Sequence, residues 1–181
     1  GAMVHVYPAG SQDYWGAYTA ADATDSQLWT PVVKGDAAVI ELFVPARPDF
    51  EPDLVVGQVS HDYRGFLQIR DRAEKSGACN NDVVCPEGVP WHDQIDSEGV
   101  FTLRGSWDCS GQMINSLVDP PPTYFLTAYH CGITSGNAAS VVIYWNFQSP
   151  TCGQHGGGSL SQNSSGTSFK ARWSTSDFCL V

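Results

Sequence analysis

The chain has 181 residues, room for one medium domain or a small domain with a compact extension. Its 42% hydrophobic and 12% aromatic content is too high for a disordered chain, although only 15% of residues are charged. Nineteen acidic residues against nine basic ones give a net charge of −10, which repels polyanions, so nucleic acid is not an expected partner. No apolar run reaches the length of a membrane-spanning helix, so no membrane partner is expected. Gly1-Ala2-Met3 reads as the remnant of a removed tag, and no signal peptide is recognisable at the start.

In chain order, Lys34-Gly35-Asp36 reads as a turn, and the β-branched and aromatic run 37–44 as a strand that Pro45 ends. The run 53–61 reads as a second strand, after a connection holding Pro45, Pro48 and Pro52. Together they make a small β unit, too short to hold a generous core alone. Residues 69–78 are the most charged stretch. They read as a solvated linker or, because Lys75 is followed by the small residues Ser76 and Gly77, as a processing site at Lys75-Ser76.

The second part carries strands at 124–128, 139–147 and 168–173, the last with period-two alternation. A polar, glycine-rich loop fills 153–166, and no stretch shows a helical period. The chain is therefore expected to be all-β, a barrel or sandwich with glycine-rich turns. The expected division is a β extension over 1–75 and a main unit over 76–181.

All six cysteines, Cys79, Cys85, Cys109, Cys131, Cys152 and Cys179, lie in the second part, and none forms a CxxC pair. That spacing argues for disulfides and an exported protein rather than for zinc. The acidic residues between Asp82 and Glu98 lack the alternation of a dedicated calcium loop. No metal or cofactor is expected.

The chemistry concentrates in Phe125-Leu126-Thr127-Ala128-Tyr129-His130-Cys131-Gly132. A general-base imidazole needs a fixed orientation at a strand end, which small Thr and Ala permit, and the adjacent cysteine can staple the following loop. The string resembles the catalytic-histidine motif of trypsin-like serine proteases. Cys109-Ser110-Gly111-Gln112-Met113-Ile114-Asn115 is similar to the stretch that enters the first barrel of that family, with Gln112 and Met113 as departures. With 139–152 and the segment from Ser76 through Cys79 and Cys85 to Gly88, these motifs resemble the bacterial lysyl endopeptidases, a branch of the chymotrypsin-like clan. The resemblance covers 76–181; a weaker one ties residues 29–66 to the tail of such pro-regions.

The resemblance implies a chymotrypsin-type six-stranded antiparallel barrel and a triad running His, Asp, Ser along the chain. His130 fits the general base. Asp177, 47 residues later in Thr175-Ser176-Asp177-Phe178, fits the carboxylate that orients it. No nucleophile elbow follows Asp177, so the resemblance makes this chain the N-terminal half of a two-barrel secreted protease with part of its pro-region. Without the serine it is not expected to perform acyl transfer alone.

The resemblance also implies bridges Cys109–Cys131 and Cys85–Cys152. The cysteine corresponding to Cys79 bonds to the second barrel in the family. Here pairing with Cys179, free thiols or a bridge to another chain all remain open. A lysine-specific enzyme could clip its own chain after Lys75. The expected partners are a polypeptide substrate for the complete enzyme and either the missing C-terminal half or a second copy of the chain. A non-catalytic binding or assembly module is the rival reading. A lectin-like sandwich would suit the aromatics and low charge but explains none of the motifs around His130.

Overall fold

The computed structural model describes residues 1–61, 81–154 and 157–181. The expected processing site at Lys75-Ser76 and the side chain of Cys79 lie outside the described residues.

The described residues are mostly β, in two antiparallel sheets. The smaller holds β1 (Met3–Pro8), β2 (Trp15–Tyr18) and β3 (Ala38–Phe43), with β1 in the middle. Met3, read from sequence as part of a tag remnant, opens β1 and pairs with Phe43. A six-residue helix, α1 (His92–Ser97), precedes the larger sheet. That sheet holds β4 (Glu98–Leu103), β5 (Ser106–Ile114), β6 (Tyr124–Thr127), β7 (Val141–Trp145), β8 (Asn163–Ser165), β9 (Ala171–Trp173) and β10 (Phe178–Leu180). Its order is β8-β7-β4-β5-β6-β10-β9.

Two expectations are corrected here. Among the described residues the larger sheet has seven strands rather than six, and it is not closed into a barrel. Its end strands, β8 and β9, are three residues each, and closure requires end strands that pair along their length. The run 53–61 is not a strand but irregular, exposed chain. Strand propensity is expressed only where a ladder partner and a buried face exist, and Val55 and Val59 remain about four-fifths exposed, at 79% and 81%. This segment is tied down by side chains instead: the Ser60 hydroxyl donates to the Arg104 carbonyl at 2.7 Å and the Gln58 amide to the same oxygen at 3.3 Å.

Alternation along β4 and β7 divides the larger sheet into two apolar faces. One face puts Phe101, Val141 and Ile143 into a core with Phe125, Cys131, Ile133, Cys179 and Val181. Phe125 meets Phe101 edge-on at 5.9 Å between ring centres and Trp145 at 5.7 Å, geometry that suits the ring quadrupoles. Gly111 makes the close approach possible. A Cβ there would lie 2.5 Å from the Leu126 carbonyl oxygen and 2.7 Å from the Phe125 ring, so the Cys109-Ser110-Gly111 string has a packing reason.

The other face carries Val142, Tyr144 and Leu160, and the N-terminal segment covers it with Trp29 and Val32. The Val32 amide donates to the Tyr144 hydroxyl at 3.0 Å, and the Trp15 indole donates to the Val32 carbonyl at 3.2 Å. The small β unit thus shares a core with the larger sheet, as its size demands. Burial raises the Tyr144 phenol above its ordinary value and pushes that of Tyr18 up to about 12.

Two disulfides lock the larger sheet. Cys85–Cys152 closes a separation of 67 residues and Cys109–Cys131 one of 22. On the loop-entropy account they stabilise by about 4 and about 3 kcal/mol. Cys179 is a buried free thiol, so the pairing with Cys79 considered from sequence is not formed. The side chain of Cys179 instead fills the core beside Cys131, Ile133 and Val181.

Candidate active site

β6 delivers the histidine. Thr127 is buried at its end, and its hydroxyl donates to the Ser110 carbonyl on β5 at 2.7 Å, which satisfies a polar group inside the sheet. After Ala128, residues Tyr129–Cys131 form a single 3-10 turn. Gly132 ends it at φ 82°, in the left-handed region that glycine enters without a Cβ clash, and its amide donates to the Tyr129 carbonyl at 3.1 Å. Cys131 turns inward to its bridge with Cys109 on β5. His130, between Tyr129 and Cys131, therefore points outward, with its side chain 70% exposed.

The β9–β10 hairpin delivers the carboxylate. Cys179 pairs with Thr127 and Leu180 with Leu126, a register that brings residue 177 beside the histidine turn. Asp177 adopts φ 48°, which a short polar side chain tolerates better than most, and its amide donates to the Ser174 carbonyl at 3.3 Å.

Three hydrogen bonds join Asp177 to the turn. The Tyr129 amide donates to the Asp177 carbonyl at 3.1 Å. The His130 amide donates to Oδ1 at 3.0 Å, and His130 Nδ1 lies 2.7 Å from Oδ2. The two residues singled out from sequence are thus brought together. The His130 side chain, followed by the His130 amide, holds the Asp177 carboxyl below the usual carboxylate range. An ionised carboxylate only accepts, so Nδ1 of a neutral His130 carries the proton and Nε2 presents a free lone pair. Both groups are substantially exposed, so the pair adds little to stability. Its effect is to fix the ring, the tautomer and the direction of the proton-accepting nitrogen.

Three serines of the glycine-rich loop are engaged elsewhere, and the hydroxyl of the fourth, Ser165, is buried without a hydrogen-bond partner among the described residues. Ser159 and Ser161 bond each other at 2.8 Å, and the Ser164 hydroxyl accepts from the Trp145 indole at 3.0 Å. Cys109, His130 and Cys131 gather three potential ligand atoms within 4.8 Å, but the two sulfurs are bonded to each other, which leaves a single imidazole.

Sequence reasoning missed Arg172. Its guanidinium donates to the Ile133 carbonyl at 2.8 Å and lies 4.1 Å from the centre of the Tyr129 ring. The available signal was a charged residue on the alternating strand five positions before Asp177.

Residues 73–181 match the family model described as lysyl endopeptidase, C-terminal domain. The chain belongs to the lysyl endopeptidase family. A lysyl endopeptidase from Pseudomonas aeruginosa is 31% identical over 165 residues, which cover 84% of this chain and 34% of that relative. The chain therefore spans about a third of the length of the relative it matches. Membership in the lysyl endopeptidase family gives the paired imidazole and carboxylate a protease context.

Proposed function

We propose that this chain supplies the general base and its orienting carboxylate to a secreted serine endopeptidase that cleaves after lysine. The observation that supports it best is the His130–Asp177 pair, in which one carboxylate grips both the ring nitrogen and the amide of the same histidine, at 2.7 and 3.0 Å. In this reading His130 Nε2 takes the proton of a serine hydroxyl as the oxygen attacks the scissile carbonyl. It then returns that proton to the leaving amine. Asp177 stays ionised throughout and stabilises the imidazolium formed in between. The serine, the oxyanion donors and the pocket for the substrate side chain come from polypeptide outside these 181 residues. Cleavage at Lys75-Ser76 would separate the N-terminal extension from the catalytic part. The disulfides and the kinship to lysyl endopeptidase favour an extracellular location.

The test is peptide hydrolysis by the parent polypeptide that extends beyond Val181. With otherwise identical peptide amides, kcat/KM for lysine before the scissile bond should exceed that for leucine by about two orders of magnitude or more, since a pocket built for a cation leaves its polar groups unpaired against an apolar side chain. Hydrolysis without preference for lysine would overturn the specificity, and no hydrolysis of any peptide would overturn the catalytic reading.

A further inference from the structure

Arg172 bridges the two ends of the histidine turn. It sits on β9, paired with Cys179 of β10, in the same hairpin that carries Asp177. Its Nη1 donates to the carbonyl of Ile133, a residue with no exposed surface, so that end of the bond is fixed in the core. Its guanidinium face covers the ring of Tyr129 at 4.1 Å. Tyr129 and Ile133 stand one residue before and three residues after His130.

We propose that Arg172 is a positioning residue that clamps the His130 turn onto the hairpin bearing Asp177, with the Tyr129 ring as its second anchor. The inference rests on the proposed role of His130 and Asp177. The two hydrogen bonds that the Asp177 carboxylate accepts from His130 close only if turn and hairpin keep a fixed separation, and the strand pairing of β10 with β6 stops at Thr127, before the turn begins. The disulfide at Cys131 ties the turn to β5, not to the hairpin. Among the described residues, turn and hairpin are joined, apart from the Asp177 side chain itself, by Arg172, by the Tyr129 amide and by the buried Cys179 thiol, whose sulfur donates weakly to the Ile133 carbonyl at 3.9 Å; of these, Arg172 alone also grips the Tyr129 ring. Arginine suits the task because a planar guanidinium can donate in its plane and stack through its face at once, whereas an ammonium is a point charge.

The experiment is proton NMR on this chain, following the ring Nδ1 proton and the amide proton of His130. In Arg172→Met and in Tyr129→Leu, both protons should exchange with solvent about tenfold faster, and the low-field ring signal should broaden, while amides of β4 and β7 keep their protection. Arg172→Lys should fall between wild type and Arg172→Met. Tyr129→Leu changes no charge, so it separates clamping from a field effect and serves as a second probe should Arg172→Met fold poorly. Unchanged exchange in Tyr129→Leu, or full recovery of the wild-type signal in Arg172→Lys, would overturn the clamp. Loss of proteolysis by the parent on other grounds would leave this readout untouched, so the two proposals fail separately.

Discussion

Asp177→Asn in the parent enzyme should lower kcat/KM for peptide hydrolysis by about 10⁴-fold while leaving the fold intact. Asparagine tolerates the positive φ of 48° at this position, and the backbone bond from the Tyr129 amide to the residue 177 carbonyl needs no carboxylate. What changes is the partner of the ring. An amide NH2 facing Nδ1 donates where the carboxylate accepted, so the imidazole is driven to carry its proton on Nε2, the nitrogen that must receive one. The imidazolium of the transition state also loses its counter-charge. Because Asp177 is exposed, the thermal unfolding midpoint should shift little. Steady-state kinetics alongside a melting curve decides the matter: a loss of tenfold or less, or a loss matched by unfolding, contradicts the role given to Asp177.

The second large effect is on stability. Phe101→Ala should cost about 3–5 kcal/mol, read as a shift of the urea unfolding midpoint at constant slope. Phe101 has no exposed surface, lies on β4 with β5 and β7 on either side, and meets Phe125 edge-on. Its removal leaves a cavity in the core that also contains Cys131 and Ile133, the residues just after His130. A domain is stable by only about 5–15 kcal/mol, so this single change removes a large part of the total. A cost below about 1 kcal/mol would mean that the two faces of the sheet are not packed as described.

The site was far more legible in the sequence than the architecture. Thr127-Ala128-Tyr129-His130-Cys131-Gly132 is legible through its resemblance to a catalytic-histidine motif, and the structure gives four of its positions a local duty: the buried Thr127 hydroxyl, the outward His130 ring, the inward Cys131 sulfur and the left-handed Gly132. Strands β6 and β7 fall inside the runs expected at 124–128 and 139–147; β7 is apolar and buried along nearly its whole length, whereas β6 buries Phe125 and Thr127 and leaves Tyr124 and Leu126 half-buried. The run 53–61 is also rich in β-branched valines and forms no strand, because composition does not say whether a neighbouring edge is available. Sheet closure is likewise a property of the end strands: β9 falls inside the alternating run expected at 168–173 but is only three residues long, and three-residue β8 lies in the run whose composition reads as a loop. Arg172 was invisible for a related reason. Its partners, Ile133 and Tyr129, lie 39 and 43 positions back along the chain, and only the pairing of β9, β10 and β6 brings them together.

The central claim is that Asp177 sets the tautomer of His130, and nitrogen-15 NMR of the imidazole tests it most directly. At a pH where the ring is neutral, the account predicts a protonated Nδ1 whose proton is protected from exchange and an unprotonated Nε2, with the pattern lost in Asp177→Asn. A ring that carries its proton mainly on Nε2, or that samples both tautomers as freely in wild type as in Asp177→Asn, would contradict it.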